Sequence, residues 1–142
     1  MKMPTKIEEA MIATCGMNCK VCYKHLAIGN HIKPCNGCKF QDSTRPCSCR
    51  NCRIHTCANY KKIEYCYACA DFPCSLIKNL DKSYLKRYNV SLIENSQYIK
   101  KHTIAKFLTC EESKWKCKCG GIISLHDKIC SECKADYKIN IN

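Results

Sequence analysis

The residues with chemistry to offer are the cysteines. CRNCRIHTC at 49–57 and CYACADFPC at 66–74 repeat one spacing, C-x2-C-x4-C, in a chain that carries 17 cysteines among 142 residues. That density points to cross-linking, by metal or by disulfides. A disulfide framework requires export, and MKMPTKIEEAMIATCG offers only Ala10 to Ala13 as an apolar run, short of the roughly 7–15 residues of a secretion signal. The expected compartment is therefore the cytoplasm, where thiols stay reduced and clustered cysteines bind metal. The odd count agrees, because full oxidation would leave one thiol over.

The tail, CKCGGIISLHDKICSEC, has the most specific pattern. Cys117 and Cys119 form one pair, Cys130 and Cys133 another, with an apolar stretch between. Two such pairs can place four sulfurs around Zn²⁺ at about 2.3 Å each. Gly120 and Gly121 permit the tight turn that aims backbone amides at sulfur. The expectation is a β zinc ribbon, built of short strands around two knuckles. His126 is set aside as a ligand, since four cysteines suffice.

Toward the front, Cys15, Cys19 and Cys22 have the C-x3-C-x2-C spacing of radical enzymes that use S-adenosylmethionine. Val21 stands where those enzymes place an aromatic, and no repeated strand–helix units follow, so a radical enzyme is a remote third reading. The simpler reading pairs Cys19 and Cys22 with Cys35 and Cys38 as zinc knuckles. Cys15, Cys47, Cys49, Cys52, Cys57, Cys66, Cys69 and Cys74 then remain, enough for two sets of four. Each repeat supplies a knuckle and a third thiolate near a helix start, and Cys15 and Cys47 could complete the sets. Interleaved and sequential pairings both stay open. Several zinc ions are the expected cofactor, with an iron–sulfur cluster within residues 15–74 as the alternative; no segment has the ferredoxin order C-x2-C-x2-C-x3-C-P. Cys110, the odd thiol, is followed by Glu111 and Glu112 rather than by cations, and is expected to pack on a helix.

The elements that must position these thiols are short. Twelve cysteines lie between Cys15 and Cys74, 35 residues pass without one, and five lie between Cys110 and Cys133. Ordinary hydrophobic structure belongs in the gap. Pro73 in a first turn, Asp71 as cap and Leu76, Ile77, Leu80, Tyr84 and Tyr88 at helical spacing predict a helix over 73–88. Ser91 and Glu94 form a capping box for a second helix, with Ile99, Ile104, Phe107 and Leu108 as its stripe and a break near His102-Thr103. Shorter helices are expected from Thr5 to Ile12, from Cys22 to Gly29-Asn30 and from Asn51 to Lys62, with little regular structure over 30–48. The predicted fold is a small, metal-stapled, α-rich but irregular cysteine-rich domain (1–90), a helical connector (91–115) and a zinc-ribbon tail (116–142).

The formal charge is +12, which by itself suggests nucleic acid. Each Zn²⁺ held by four thiolates carries −2, so four such sites would leave roughly +4. Twenty of the 24 basic residues are lysine, as nucleotide bias in an AT-rich genome produces. The aromatic-basic runs YLKRY (84–88) and WKCK (115–118) could stack on single strands, although Tyr84 and Tyr88 also share a helix face. Protein and nucleic acid both remain open as partners, the latter weakly supported. A membrane does not, since no stretch approaches about 20 apolar residues. No hydrolase triad, phosphate loop or dinucleotide fingerprint is present, so binding or scaffolding is expected before catalysis, with redox or metal handling as the alternative.

The segments CGMNCKVC (15–22), CNGC (35–38), CRNCRIHTC (49–57) and YCYACADFPC (65–74) resemble the prokaryotic cysteine-rich domain of unknown function numbered thirty-seven ninety-five. The tail KWKCKCGGIISLHDKICSEC extends that resemblance over nearly the whole chain, with Cys47 and the C-x-C at Cys117 as departures. The resemblance implies metal binding in a prokaryotic cytosol and supplies no reaction.

Overall fold

The computed structural model describes residues 1–28, 34–40, 44–45 and 47–138, excepting the side chains of Cys47 and Ser48. The expected helix end at Gly29-Asn30 lies outside them, as does part of the irregular 30–48 stretch. Regular structure consists of a single turn, α1 (Cys47–Arg50), then α2 (Arg53–Lys61), α3 (Ser75–Tyr88), α4 (Leu92–Lys101) and α5 (Ile104–Lys114). Three 3₁₀ turns, Glu9–Met11, Cys19–Val21 and Cys66–Ala68, punctuate the front. No described helix is long and apolar enough to cross a membrane.

Local capping explains the α3–α5 region. Ser91 Oγ accepts the Glu94 amide at 3.1 Å and starts α4; Thr103 Oγ1 accepts the Lys106 amide at 3.1 Å and starts α5. The expected second helix is therefore two, because a new cap follows His102 directly. Buried Asp81 of α3 reinforces the first of these caps. Its Oδ1 accepts the Ser91 hydroxyl at 2.7 Å and the Ile93 amide at 3.0 Å, tying α3 to the positive end of α4.

Other sequence expectations fail for identifiable reasons. Asp71 does not cap α3, which begins after Cys74 without a side-chain cap, because its carboxylate is 3.2 Å from Lys61 Nζ. Asn51 likewise gives way to Cys52 as the residue preceding α2. The Thr5–Ile12 helix contracts to one 3₁₀ turn, and Cys22–Ile28 is a series of turns. The tail is not a β ribbon. Among the described residues it shows isolated antiparallel bridges, Lys116 with Ile122, Ile123 with Cys130 and Ile129 with Asp136, and no strand. Knuckles so close together leave too little chain between them for a ladder.

One continuous core joins all parts. Ile7, Ile12 and Val21 from the front meet Leu92 and Leu108 from the helices and Ile122 from the tail. A smaller cluster of Ile54, Cys66 and Ile77 sits between α2 and α3. The front is pinned to α4 at Gly16, whose φ is +94°. A Cβ there would lie 2.5 Å from Ser96 Oγ and 2.9 Å from the Leu92 carbonyl, so the residue after Cys15 must be glycine. Ser96 is 1 % exposed and its hydroxyl lacks a hydrogen-bond partner. Ser96→Ala should therefore stabilise the protein by about 1 kcal/mol, from relief of desolvation and better helix propensity; an unchanged or lower denaturant midpoint would contradict this.

Candidate metal centre

The tail turns twice around a common point. The Gly120 amide donates to the Cys117 carbonyl at 2.8 Å and the Cys117 amide to the Gly121 carbonyl at 2.9 Å, which folds the first pair into a closed turn. Gly121 has no room for a side chain, since a Cβ would sit 2.7 Å from Cys130 Sγ. The second turn is set by the Lys134 amide on the Cys130 carbonyl at 3.1 Å.

The consequence is a gathered set of sulfurs. Those of Cys117, Cys119, Cys130 and Cys133 all lie within 4.8 Å of one another, the one group among the described residues drawn this close. Cys117 is 3.6 Å from Cys133, and Cys119 is 3.6 Å from Cys130. Four sulfurs each about 2.3 Å from one ion stand about 3.8 Å apart in a tetrahedron, so the set could hold a metal ion with little movement. Cys117 and Cys130 face the core, while Cys119 and Cys133 face solvent.

Donors around the sulfurs favour thiolates. The Gly121 amide points at Cys119 Sγ (3.3 Å) and the Glu132 amide at Cys130 Sγ (3.4 Å). The Tyr137 hydroxyl accepts from the Lys118 amide at 3.4 Å, which leaves its proton for Cys117 Sγ at 3.1 Å. That hydroxyl, assisted by the Cys119 amide, lowers the Cys117 thiol to about 6. A deprotonated sulfur is the form that binds metal.

His126, as expected, stays away from this centre. Its Nδ1 accepts the Tyr23 amide at 3.4 Å, and its ring is packed by Tyr23, Tyr88 and Tyr84 at centroid distances of 4.2, 4.6 and 6.0 Å. His25 Nδ1 lies 2.6 Å from the Cys35 carbonyl. Trp115 is 1 % exposed, its Nε1 donating to Glu111 Oε2 at 3.2 Å, so it offers no face to a nucleic-acid base.

The front cysteines fall into neighbourhoods. Cys19 and Cys38 adjoin, the Cys38 amide donating to Cys19 Sγ at 3.4 Å, and that contact lowers the Cys38 thiol to about 7. Cys22 is also nearby, its thiol pushed up to about 11 by burial. Cys35 Sγ accepts the Gly37 amide at 3.4 Å. Cys15, Cys38, Cys49 and Cys52 line a cavity of about 200 Å³ together with Arg45 and His55. Burial raises the Cys15 thiol well above its usual value, whereas Cys49 Sγ accepts from Lys24 Nζ at 3.1 Å. A second, smaller cavity is bordered by Cys57, Cys66, Cys69 and Cys74. The Cys47 side chain lies outside the described residues. Cys110 sits on α5 but is exposed rather than packed, 3.6 Å from the Tyr98 hydroxyl, because the buried stripe of α5 is Phe107, Leu108 and Glu111.

Sequence spacing missed the supporting residues Tyr137, Glu111 and Asp81. Tyr137 alone left a signal, a tyrosine four residues beyond the last ligand.

No curated protein and no solved structure matches the chain. Residues 11–79, the segment holding every cysteine from Cys15 to Cys74, match the family described as Protein of unknown function (DUF3795). Through those residues the chain belongs to that family.

Proposed function

We propose that the protein is a multi-zinc binding or scaffolding module whose tail centre is structural. The observation that carries this reading is the closed set of Cys117, Cys119, Cys130 and Cys133, whose sulfurs lie within 4.8 Å of one another. Four thiolates fill a tetrahedral shell and leave no position for substrate, which is the pattern of structural zinc. Soft sulfur ligands in this geometry suit zinc or iron, and Zn²⁺ supplies binding energy to a front region with few apolar contacts. The partner is a protein or a nucleic acid, with protein favoured because zinc thiolates offset much of the formal charge. A cytoplasmic setting keeps the thiols reduced.

The test is anaerobic purification of the untagged chain, followed by elemental analysis and an absorption spectrum. Two or more zinc ions per chain and no visible absorption are expected, because Zn²⁺ is d¹⁰. Iron with equivalent sulfide and a brown colour would replace this reading with redox or metal handling.

A further inference from the structure

The duplicated motif does not duplicate its structure. In the second copy, Cys66 to Cys69 is a 3₁₀ turn closed by the Cys69 amide on the Cys66 carbonyl at 2.9 Å, and Cys74 precedes α3. In the first, Cys49 and Cys52 straddle the break between α1 and α2, and Cys57 rides inside α2. Being carried on that helix takes Cys57 away from its own knuckle. It borders a cavity of about 30 Å³ that Cys66, Cys69 and Cys74 also line, whereas Cys49 and Cys52 line the larger cavity.

We propose that Cys57, Cys66, Cys69 and Cys74 form a second metal centre for a single soft divalent ion such as zinc, in which the last cysteine of one motif joins all three of the next. This deepens the multi-zinc reading but rests on residues separate from the tail centre.

Three features support it besides the shared lining. Cys69 Sγ accepts the amide two residues on, that of Asp71, at 3.4 Å, the same bond that Cys119 and Cys130 make in the tail. Such amides stabilise sulfur in its charged, ligating form. Lys61, one turn beyond Cys57 on α2, places Nζ 3.1 Å from Cys69 Sγ and so offsets part of the −2 charge of Zn²⁺ with four thiolates. Finally, about 30 Å³ is the volume of one small occupant. A cubane of four irons and four sulfides does not fit there without opening the apolar wall of Ile54, Phe72 and Ile77.

Binding would pull the sulfurs inward and release the protons they carry. It would also link the second turn of α2 to the start of α3, supplying the small α2–α3 cluster with a covalent-strength staple.

The experiment is differential alkylation of the full-length, zinc-loaded wild-type chain with iodoacetamide, with and without chelator, read cysteine by cysteine by mass spectrometry. Cys57, Cys66, Cys69 and Cys74 should be protected together and become reactive together. Zinc analysis of Cys57→Ser and Cys74→Ser should each show one equivalent fewer than wild type, and Cys52→Ser should keep that equivalent. Cys57 labelling equally fast with and without zinc would overturn the proposal, as would loss of the same equivalent in Cys52→Ser. If Cys117 and Cys130 label freely while these four are protected, the structural tail centre fails and this one stands; the reverse pattern removes this one alone.

Discussion

Cys130→Ser is expected to lose the tail zinc and to destabilise the whole chain by more than about 4 kcal/mol, the range associated with loss of a structural metal. Cys130 is fully buried, and it belongs to the same cluster as Trp115, Ile122 and Ile123. Releasing its sulfur from the metal leaves a buried hydroxyl and frees the knuckle that holds Ile122 and Ile123 in place. The effect should spread, because the Ile123 amide bonds to the Trp115 carbonyl at 2.8 Å and the Leu125 amide to the Val21 carbonyl at 2.9 Å. Trp115 is the only tryptophan, so its fluorescence reports the damage directly. A red-shifted emission, a lower denaturant midpoint and one metal equivalent fewer are the expected readouts. Full metal content with unchanged emission would show that the four sulfurs do not act as a centre.

Glu111→Ala should cost about 2–4 kcal/mol. The carboxylate is buried in α5, where Oε1 accepts from Asn18 Nδ2 at 3.3 Å and Oε2 from Trp115 Nε1 at 3.2 Å. Alanine leaves both donors buried without a partner, at about 1–3 kcal/mol each. The same residue sets a pH dependence. Burial raises its carboxyl above the usual value, against the lowering effects of Asn18, Lys114 and Trp115. The native state therefore holds this proton more tightly than the unfolded chain does. Stability from this group is fully present below the unfolded value and is lost as pH rises through the raised native one. Glu111→Gln removes the titration, so the wild-type and Gln profiles of denaturant midpoint, measured on metal-loaded protein, should diverge across that window. Parallel profiles would mean that Glu111 does not change protonation differently on folding.

What could be read in the sequence was what short-range geometry fixes. A capping box needs only three residues' separation, so Ser91 and Glu94 announced the start of α4, and the break at His102-Thr103 followed from a second cap. Cys117, Cys119, Cys130 and Cys133 were legible for the same reason, since two tight turns joined by a short link can bring only their own sulfurs together. The expected β ribbon failed because ladders depend on pairing over more residues than the tail provides. Packing of Cys110 failed because helical periodicity alone does not say which stripe meets the core.

The sequence by itself determined that this is a cysteine-rich, helical chain with a four-sulfur tail, because spacing and turn residues act over distances of one or two turns. Tertiary structure decided the rest. It enclosed Trp115, put Asp81 under the cap of α4, and gave two identical C-x2-C-x4-C spacings different backbones, with Cys57 inside a helix and Cys74 ahead of one. Which sulfurs face the same cavity depends on how α2 and α3 pack over Ile54 and Ile77, and no local spacing encodes that contact.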